Sequence, residues 1–292
     1  MNNNFLGNSA SWPAPAKLNL FLHIVGRRAD GYHLLQTAFQ FIDLCDELRF
    51  YPRPAGVIER IAGPQDVPAE HDLVVRAAKT LNERAGSQHG VAIELTKRIP
   101  MQAGLGGGSS DAATVLVALN QLWGLSLGVD ELATIGLRLG ADVPVFVRGK
   151  AAWAEGAGEL LTPLEFPEPW FLVIQPPVSV STAEIFQSSE LTRDTPVTTI
   201  RAFRAGQGRN DCTKVVCFKY PAVAQALDWL GEYGEARLTG TGACIFAGFD
   251  HKQQAEDALA QLPADVGRGF VVKGLNQSPL MQRLRQEQAG MA

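Results

Sequence analysis

Between Pro100 and Ser110 the chain reads PMQAGLGGGSS, and DAATVLVALN follows. Val91, Ile93 and Leu95 alternate with other residues and stop before Pro100, so a strand leads into this stretch. Ala112, Val115, Leu116, Leu119, Leu122 and Trp123 recur at helical spacing, so a helix from Ser110 to Trp123 leads out of it. Gly104, Gly106, Gly107 and Gly108 lie between the two. Glycine lets backbone approach a ligand closely and adopt positive φ. Consecutive N–H groups in such a loop form an anion nest, and a helix N-terminus adds free N–H groups and a positive dipole end. Ser109 and Ser110 add hydroxyls. The segment predicts a phosphate cradle. The plainer alternative is a flexible loop in which Ser110 only caps a helix, but four glycines within five residues would then cost backbone entropy without return. The loop lacks the Gly-Lys-Ser/Thr ending of a Walker A loop. Ser109 stands where the last glycine of G-x-G-x-x-G would fall.

Composition narrows the class. The chain has 292 residues, 46% hydrophobic and 19% charged, which excludes a disordered chain. A chain this long buries roughly three quarters of its unfolded surface, enough for one large core or two smaller ones. Net charge is −4 and no long basic run is present, which argues against nucleic-acid binding. The opening MNNNFLGNSASW has neither the basic nor the apolar region of a signal peptide. The longest apolar runs, 170–174 and 143–147, are far shorter than the ~20 residues of a membrane span. Cys45, Cys212, Cys217 and Cys244 form no metal-like spacing with the histidines. The expectation is a cytoplasmic protein with reduced, structural thiols, no membrane segment and no metal ligands.

Leu18 to Val25 alternate as a strand, and a turn over Arg27 to Gly31 follows. Leu35 to Leu44 and Glu47 to Tyr51 read as two strands parted by a turn at Asp46. Asp72 starts a helix with Leu73, Ala77, Leu81 and Ala85 at steps of four. A helix over Val129 to Leu139 ends at Gly140, read as a C′ residue. Three prolines between 163 and 169 mark a domain boundary, giving units 1–162 and 163–292. Beyond it come a strand at Trp170 to Gln175 and a helix at Tyr220 to Tyr233. A β-α-β pattern over Ala243–Phe249, His251–Leu262 and Gly269–Gly274 closes the chain. Strands and helices mix without strict alternation, so the class is α+β in two domains.

Four further segments carry polar groups in unusual places. Lys17, in PAPAKLNLFLHI, enters an otherwise neutral strand as either a functional cation or a snorkelling edge residue. LTGTGACIF, 238–246, is either a ligand loop or a hairpin turn. Asp142 in GADVP fits a plain turn aspartate better on sequence alone. Tyr32 and His33 follow Gly31 and either meet a ligand or cap the core.

Taken together, PAKLNL, PMQAGLGGGSSDAA and LTGTGACIF resemble the three motifs of the GHMP kinase superfamily, in order. The resemblance extends from about Trp12 to Leu280 and includes PAPAKLNLFLHIVGRRADGYHLLQT, LGADVPVFVRGKAAWAEGAGE and KGLNQSPL. It implies an N-terminal ATP-binding domain and a ferredoxin-like C-terminal substrate domain. Within the superfamily it is closest to the branch acting on a cytidine diphosphate-linked alcohol. That branch transfers the ATP γ-phosphate, with Mg²⁺, to the 2-hydroxyl of a methylerythritol unit in non-mevalonate isoprenoid synthesis. The resemblance implies Lys17 and Asp142 as the catalytic pair. It implies ATP binding by Lys97 and by Pro100, Met101, Gln102, Ala103, Gly104, Leu105, Gly106, Gly107, Gly108, Ser109 and Ser110. Tyr32, His33 and Phe186 become the cytidine group, with Tyr32 and Phe186 expected to sandwich the base. Asn19 and Thr182 become contacts to the substrate's phosphates or polyol. Two positions depart from the pattern. Asp72 stands where asparagine is usual, and a carboxylate accepts but cannot donate. Gln102-Ala103 stands where Gly-Gly or Gly-Ala is usual. The competing readings are a superfamily kinase for a nucleotide-free alcohol, a catalytically dead nucleotide sensor, and, more distantly, a dinucleotide-dependent dehydrogenase. The aromatic group opposes the first, intact Lys17 and Asp142 the second, and the missing β-α-β glycine fingerprint the third.

Overall fold

A computed structural model describes residues 10–29, 31–65, 67–68 and 71–291. Residues 1–9, read above for a signal peptide, and Asp30 of the first turn lie outside the described residues. The first half runs β1 (Trp12–Arg27), β2 (His33–Arg53), β3 (Ile58–Ala62), α1 (Leu73–Ala85), β4 (Gly90–Thr96), α2 (Gly107–Leu122), α3 (Val129–Leu139), α4 (Val143–Arg148), β5 (Ala152–Glu155) and β6 (Leu160–Pro163). The second half runs β7 (Trp170–Gln175), α5 (Thr182–Gln187), α6 (Ile200–Arg204), α7 (Thr213–Lys219), α8 (Pro221–Gly231), β8 (Arg237–Leu238), β9 (Ile245–Phe249), α9 (Lys252–Ala260), β10 (Arg268–Leu275) and α10 (Pro279–Met291). The architecture is α+β, as the mixed pattern implied.

Among the described residues one sheet carries the order β3-β4-β2-β10-β7-β9-β8, with β1 on β2 and β5 bridging β2 and β6. The second half is a β-α-β-β-α-β unit. Its strands β7, β8, β9 and β10 lie in the spatial order β10-β7-β9-β8, the ferredoxin-like arrangement. β10 joins the halves: Gly274 and Leu275 pair with Ile42 and Phe41 of β2, while Arg268 to Lys273 pair with β7. One core lies between the first-half sheet and α1 to α4, centred on Leu81, Leu116 and Phe146. Another lies under α8 and α9, around Leu172, Val223 and Ile245. A third cluster bridges them, packing Ile99, Ala103 and Leu105 of the glycine segment against Phe171, Val173 and Phe246. The glycine segment is therefore seated on both halves. α10 returns to pack on β1 and α2, with the Arg283 guanidinium 4.6 Å above the Trp12 ring.

Three local expectations are corrected and one is extended. First, the strand read from alternation in β1 is buried on both faces: Leu18 and Ile24 of one parity and Asn19, Phe21 and His23 of the other are all buried. Leu18 joins the cluster of Ile99, Leu105 and Phe171, Ile24 joins the core under α8 and α9, and Phe21 packs on Trp153 and Phe203. Second, Asp46 is no turn. β2 is continuous, and it bulges against β1, where Pro15 pairs with Cys45 but Ala16 with Ile42. Third, α2 starts at Gly107, three residues earlier than expected, after Gly106 in the left-handed region at φ 72°. It is buried all round from Ser110 to Leu119 rather than along one stripe, because helices and sheet both pack on it. Fourth, Gly140 ends α3 in extended rather than left-handed backbone, at φ 177°. No helix among the described residues is long and apolar enough to cross a membrane.

Candidate active site

A cleft of about 1130 Å³ runs between the halves, from the loop before α1, past the glycine segment, to α5. The glycine segment forms its floor. Asp46 sets the segment's entry, although it lies in β2 and is fully buried. Its Oδ1 accepts from the Arg98 and Ile99 N–H groups at 2.5 and 2.8 Å. Such charge-assisted bonds contribute about 1.5–3 kcal/mol each. Further along, Gln102 sits at φ 52°, a conformation that non-glycine residues seldom adopt. The departure from glycine at this position is thus tolerated at a cost in strain.

Gly104 brings the two glycine segments into contact. A Cβ there would lie 2.1 Å from the Thr239 carbonyl oxygen. Thr239 Oγ1 donates to the Gly104 carbonyl at 3.2 Å and accepts from the Asn19 N–H at 2.9 Å. The segment 239–244 does connect the antiparallel strands β8 and β9, so it is both a hairpin connection and a cleft wall. The Asn210 amide supports it, donating to the Leu238 and Gly240 carbonyls at 2.9 and 2.7 Å.

Lys17 is no snorkelling edge residue, because it is 3% exposed. Its Nζ donates to Asn19 Oδ1 and to the Gly104 carbonyl at 3.0 Å, and lies 3.4 Å from Asp142 Oδ2. Asp142 precedes α4 but makes no side-chain cap bond, so its carboxylate is not used as a turn acid. That side chain keeps 34% of its surface, on the cleft. Asn19 is occupied at both ends, by Lys17 and by Thr37 Oγ1 at 2.9 Å, so it holds Lys17 in place.

Lys97 lines the cleft with its ammonium bound to Asp46 and Asp111. Two carboxylates against one ammonium would leave a buried negative charge. Burial accordingly pushes Asp111 up to about 8, against the pull of Lys97 and with help from Asp46. Burial works against the Lys97 charge as well, but Asp111 and Asp46 outweigh it and hold its pKa above the ordinary value. Asp111 Oδ1 is buried with no hydrogen-bond partner among the described residues, which a neutral acid tolerates better than a carboxylate.

The remaining expected residues divide. Pro100, Met101, Gln102, Ala103, Leu105, Gly106, Gly107, Gly108 and Ser109 line the cleft together with Gly104. Ser110 does not. Because α2 begins at Gly107, Ser110 lies one turn in and fully buried. Asp72 caps α1, accepting from the Val74 N–H at 3.0 Å, and its other oxygen is paired with Arg60. Thr182 Oγ1 lies 2.9 Å from Thr241 Oγ1, joining α5 to the second glycine segment. The ring stacked on Phe186 is His33, at 4.9 Å between centroids and 25° between planes, rather than Tyr32. Tyr32 is 64% exposed at the cleft mouth. The sequence reading missed Asn210 and Arg193 and took Asp46 for a turn, and it singled out the segment of Thr239 without the Thr239–Gly104 bond. Asp46 and Asn210 act on backbone groups distant in sequence, and Arg193 joins nearby carbonyls to the distant His33, so no local pattern signals them.

Two glycine segments in contact, with a buried lysine and an open aspartate beside them, define a class. The GHMP kinases N terminal domain matches residues 72–150 and the GHMP kinases C terminal domain matches residues 198–268. The chain belongs to the GHMP kinase family. More particularly, it is 58% identical over 273 residues to the 4-diphosphocytidyl-2-C-methyl-D-erythritol kinase of Nitrosococcus oceani, covering 94% of this chain and 97% of that protein. A crystal structure of 4-(cytidine 5'-diphospho)-2C-methyl-D-erythritol kinase superposes with TM-score 0.79 at 33% identity, over 91% of this chain and 99% of that one. A homoserine kinase from Cytophaga hutchinsonii reaches TM-score 0.72 at 18% identity, over 95% of this chain and 98% of that one, and so shares the fold alone.

Proposed function

We propose that the chain transfers the γ-phosphoryl group of ATP to the 2-hydroxyl of 4-diphosphocytidyl-2-C-methyl-D-erythritol, a step of non-mevalonate isoprenoid synthesis. The observation that carries this reading is the Lys17–Asp142 pair at 3.4 Å, held against the Gly104 carbonyl on the cleft floor. The likeness to the Nitrosococcus oceani kinase supports the choice of alcohol. We read residues 1–162 as the ATP-binding unit and 163–292 as the substrate unit. The free thiols of Cys45, Cys212, Cys217 and Cys244 accord with a cytoplasmic enzyme.

In this reading the first turn of α2 receives the ATP phosphates, because its N–H groups have no intrahelical acceptors. Asp142 Oδ2 accepts the proton of the substrate's 2-hydroxyl. The deprotonated hydroxyl oxygen bonds to the γ-phosphorus, the bond from phosphorus to the β–γ bridging oxygen breaks, and ADP leaves with the electron pair. Lys17, buried and charged, opposes the negative charge developing on the attacking oxygen and on the phosphoryl group. Mg²⁺ enters as part of the nucleotide substrate. Among the described residues no cluster of three or more His, Cys, Asp or Glu could hold a metal, and a phosphate-borne Mg²⁺ keeps waters and needs few protein ligands. At the other end, Tyr32, His33 and Phe186 receive the cytosine.

The test is a coupled ADP-release assay over the diphosphocytidyl alcohol, its uridine analogue, homoserine and mevalonate. Release dependent on Mg²⁺ is expected with the first, slower release with its uridine analogue, and none with homoserine or mevalonate. Release with homoserine or mevalonate, and none with the nucleotide-linked alcohols, would overturn the reading.

A further inference from the structure

Arg193 belongs to none of the three motifs, yet it ties together the mouth of the cleft. Its Nε donates to His33 Nε2 at 3.1 Å. Its Nη1 donates to the Leu191 carbonyl at 3.1 Å, and its Nη2 to the Phe186 and Ser188 carbonyls at 3.0 and 2.7 Å. Arg193 thus holds both the turn after α5 and the imidazole stacked on Phe186. A guanidinium has donors only. His33 Nε2 must therefore present its lone pair, and a neutral imidazole then carries its proton on Nδ1. Burial first, then the charges of Arg193 and Arg27, lower the His33 pKa from its ordinary value, which favours that neutral ring.

The geometry points to Arg193 as a positioning residue for base choice: it fixes His33 as the Nδ1–H tautomer, so that the imidazole meets the base as a donor. This rests on the reading above, that the mouth receives a nucleotide-linked alcohol. Stacking tolerates any base, so discrimination falls to the base edge. Cytosine N3 accepts a hydrogen bond, whereas uracil N3 bears a hydrogen. A donor fixed on His33 pairs with the first and opposes the second. Were Nε2 free to take the proton, Nδ1 would become an acceptor and the preference would weaken.

The test has a spectroscopic arm and a kinetic arm. In protein carrying ¹⁵N-labelled histidine, the His33 imidazole shifts report which nitrogen is protonated. The wild type is expected to show Nδ1–H alone, and Arg193→Ala to lose that single tautomer. An Nε2–H wild type overturns the proposal. In kinetics, Arg193→Ala should narrow the preference for the cytidine over the uridine substrate by about tenfold or more. The loss should lie mostly in KM, with kcat falling less than about threefold and the KM for ATP holding. In a His33→Ala background the same substitution should narrow the preference by less than about twofold further, because both act through one contact. Arg193→Lys, which keeps a cationic donor, should recover part of the preference. A merely structural arginine would lower kcat for both substrates alike and leave their ratio unchanged, and that result in folded Arg193→Ala overturns the proposal. A wild type that turns over neither nucleotide-linked alcohol removes the functional reading itself. A wild type that prefers cytidine, with Arg193→Ala keeping that preference, removes only the role of Arg193.

Discussion

The two ends of the cleft are made of different materials. At the floor, the groups that matter are backbone and buried charge: the Gly104 carbonyl, the first turn of α2, Lys17 at 3% exposure, and Asp46 under Lys97. At the mouth, they are side chains on turns: Tyr32 at 64% exposure, His33, Phe186 and the Arg193 that fastens them. The floor is braced from both halves of the molecule and has little freedom to move. The mouth depends on a few polar contacts that single substitutions can redirect. Chemistry is therefore placed where the structure is least adjustable, and the choice of substrate where it is most so.

If this contrast holds, the largest effects come from the floor and fall on kcat. Asp142→Asn keeps the shape of the side chain but removes the proton acceptor, so kcat should drop by about 10²-fold or more with KM nearly unchanged. Steady-state kinetics decide it, and a near-normal kcat would reduce Asp142 to a positioning group.

Gly104→Ala probes whether the two glycine segments must touch. The new Cβ would fall 2.1 Å from the Thr239 carbonyl oxygen, at a φ of 75° that alanine resists. A stability loss of about 1–3 kcal/mol is expected from the strained backbone alone, read by urea unfolding. KM for ATP should rise in parallel, by about tenfold or more. Unaltered ATP binding would show that the floor is softer than drawn.

At the mouth the effects should be smaller and should fall on KM. Phe186→Ala removes a stacking face worth about 1–3 kcal/mol, so KM for the cytidine substrate should rise roughly 5- to 150-fold while kcat changes little. Tyr32→Ala should cost less than Phe186→Ala, since Tyr32 is the more exposed ring. A larger loss with Tyr32 would mean that substrate draws Tyr32 over the base and opens the His33–Phe186 stack.

The smallest effect on turnover lies beneath the floor. Asp111, raised from 3.8 to about 8, keeps a proton in the fold that the unfolded chain releases. Its contribution is complete below pH 3.8 and is lost as pH rises through about 8. The raised Lys97 acts with the same sign at higher pH. Asp111→Asn mimics the protonated acid without having to take up a proton on folding, so its stability should match the parent at about pH 4 and exceed it at about pH 7. The fall in Tm between pH 5 and 9 should flatten (about pH 5 to 9, bracketing the shift). An unchanged slope would show that Asp111 is ionised throughout.

These contrasts also explain what the sequence made legible. Val129 to Leu139 and Trp170 to Gln175 were readable to the residue, because caps and apolar periodicity are local. The glycine segment was readable because the residue types themselves are unusual. Lys17 and Asp142 became a pair only through family resemblance, since nothing in their spacing brings together residues so far apart. Asp46 looked like a turn because an acid between two apolar runs usually is one. Its partners, the N–H groups of Arg98 and Ile99, belong to a segment about fifty residues later. Arg193 was invisible for a similar reason: its acceptors are carbonyls and one imidazole nitrogen that only the turn after α5 assembles.

The place of β10 has a consequence for synthesis. This strand lies between β2 and β7 in the sheet, and its Gly274 pairs with Ile42. At about 5–20 residues per second on the ribosome, β2 waits roughly 10–50 s for that neighbour to emerge. Through that interval the β2 edge at Phe41 and Ile42 lacks its β10 partner, and an unpaired apolar edge is a template for pairing with another chain. The nascent polypeptide is thus most exposed to association with its neighbours late in translation, when most of its helices already exist and the seam between its halves is still open.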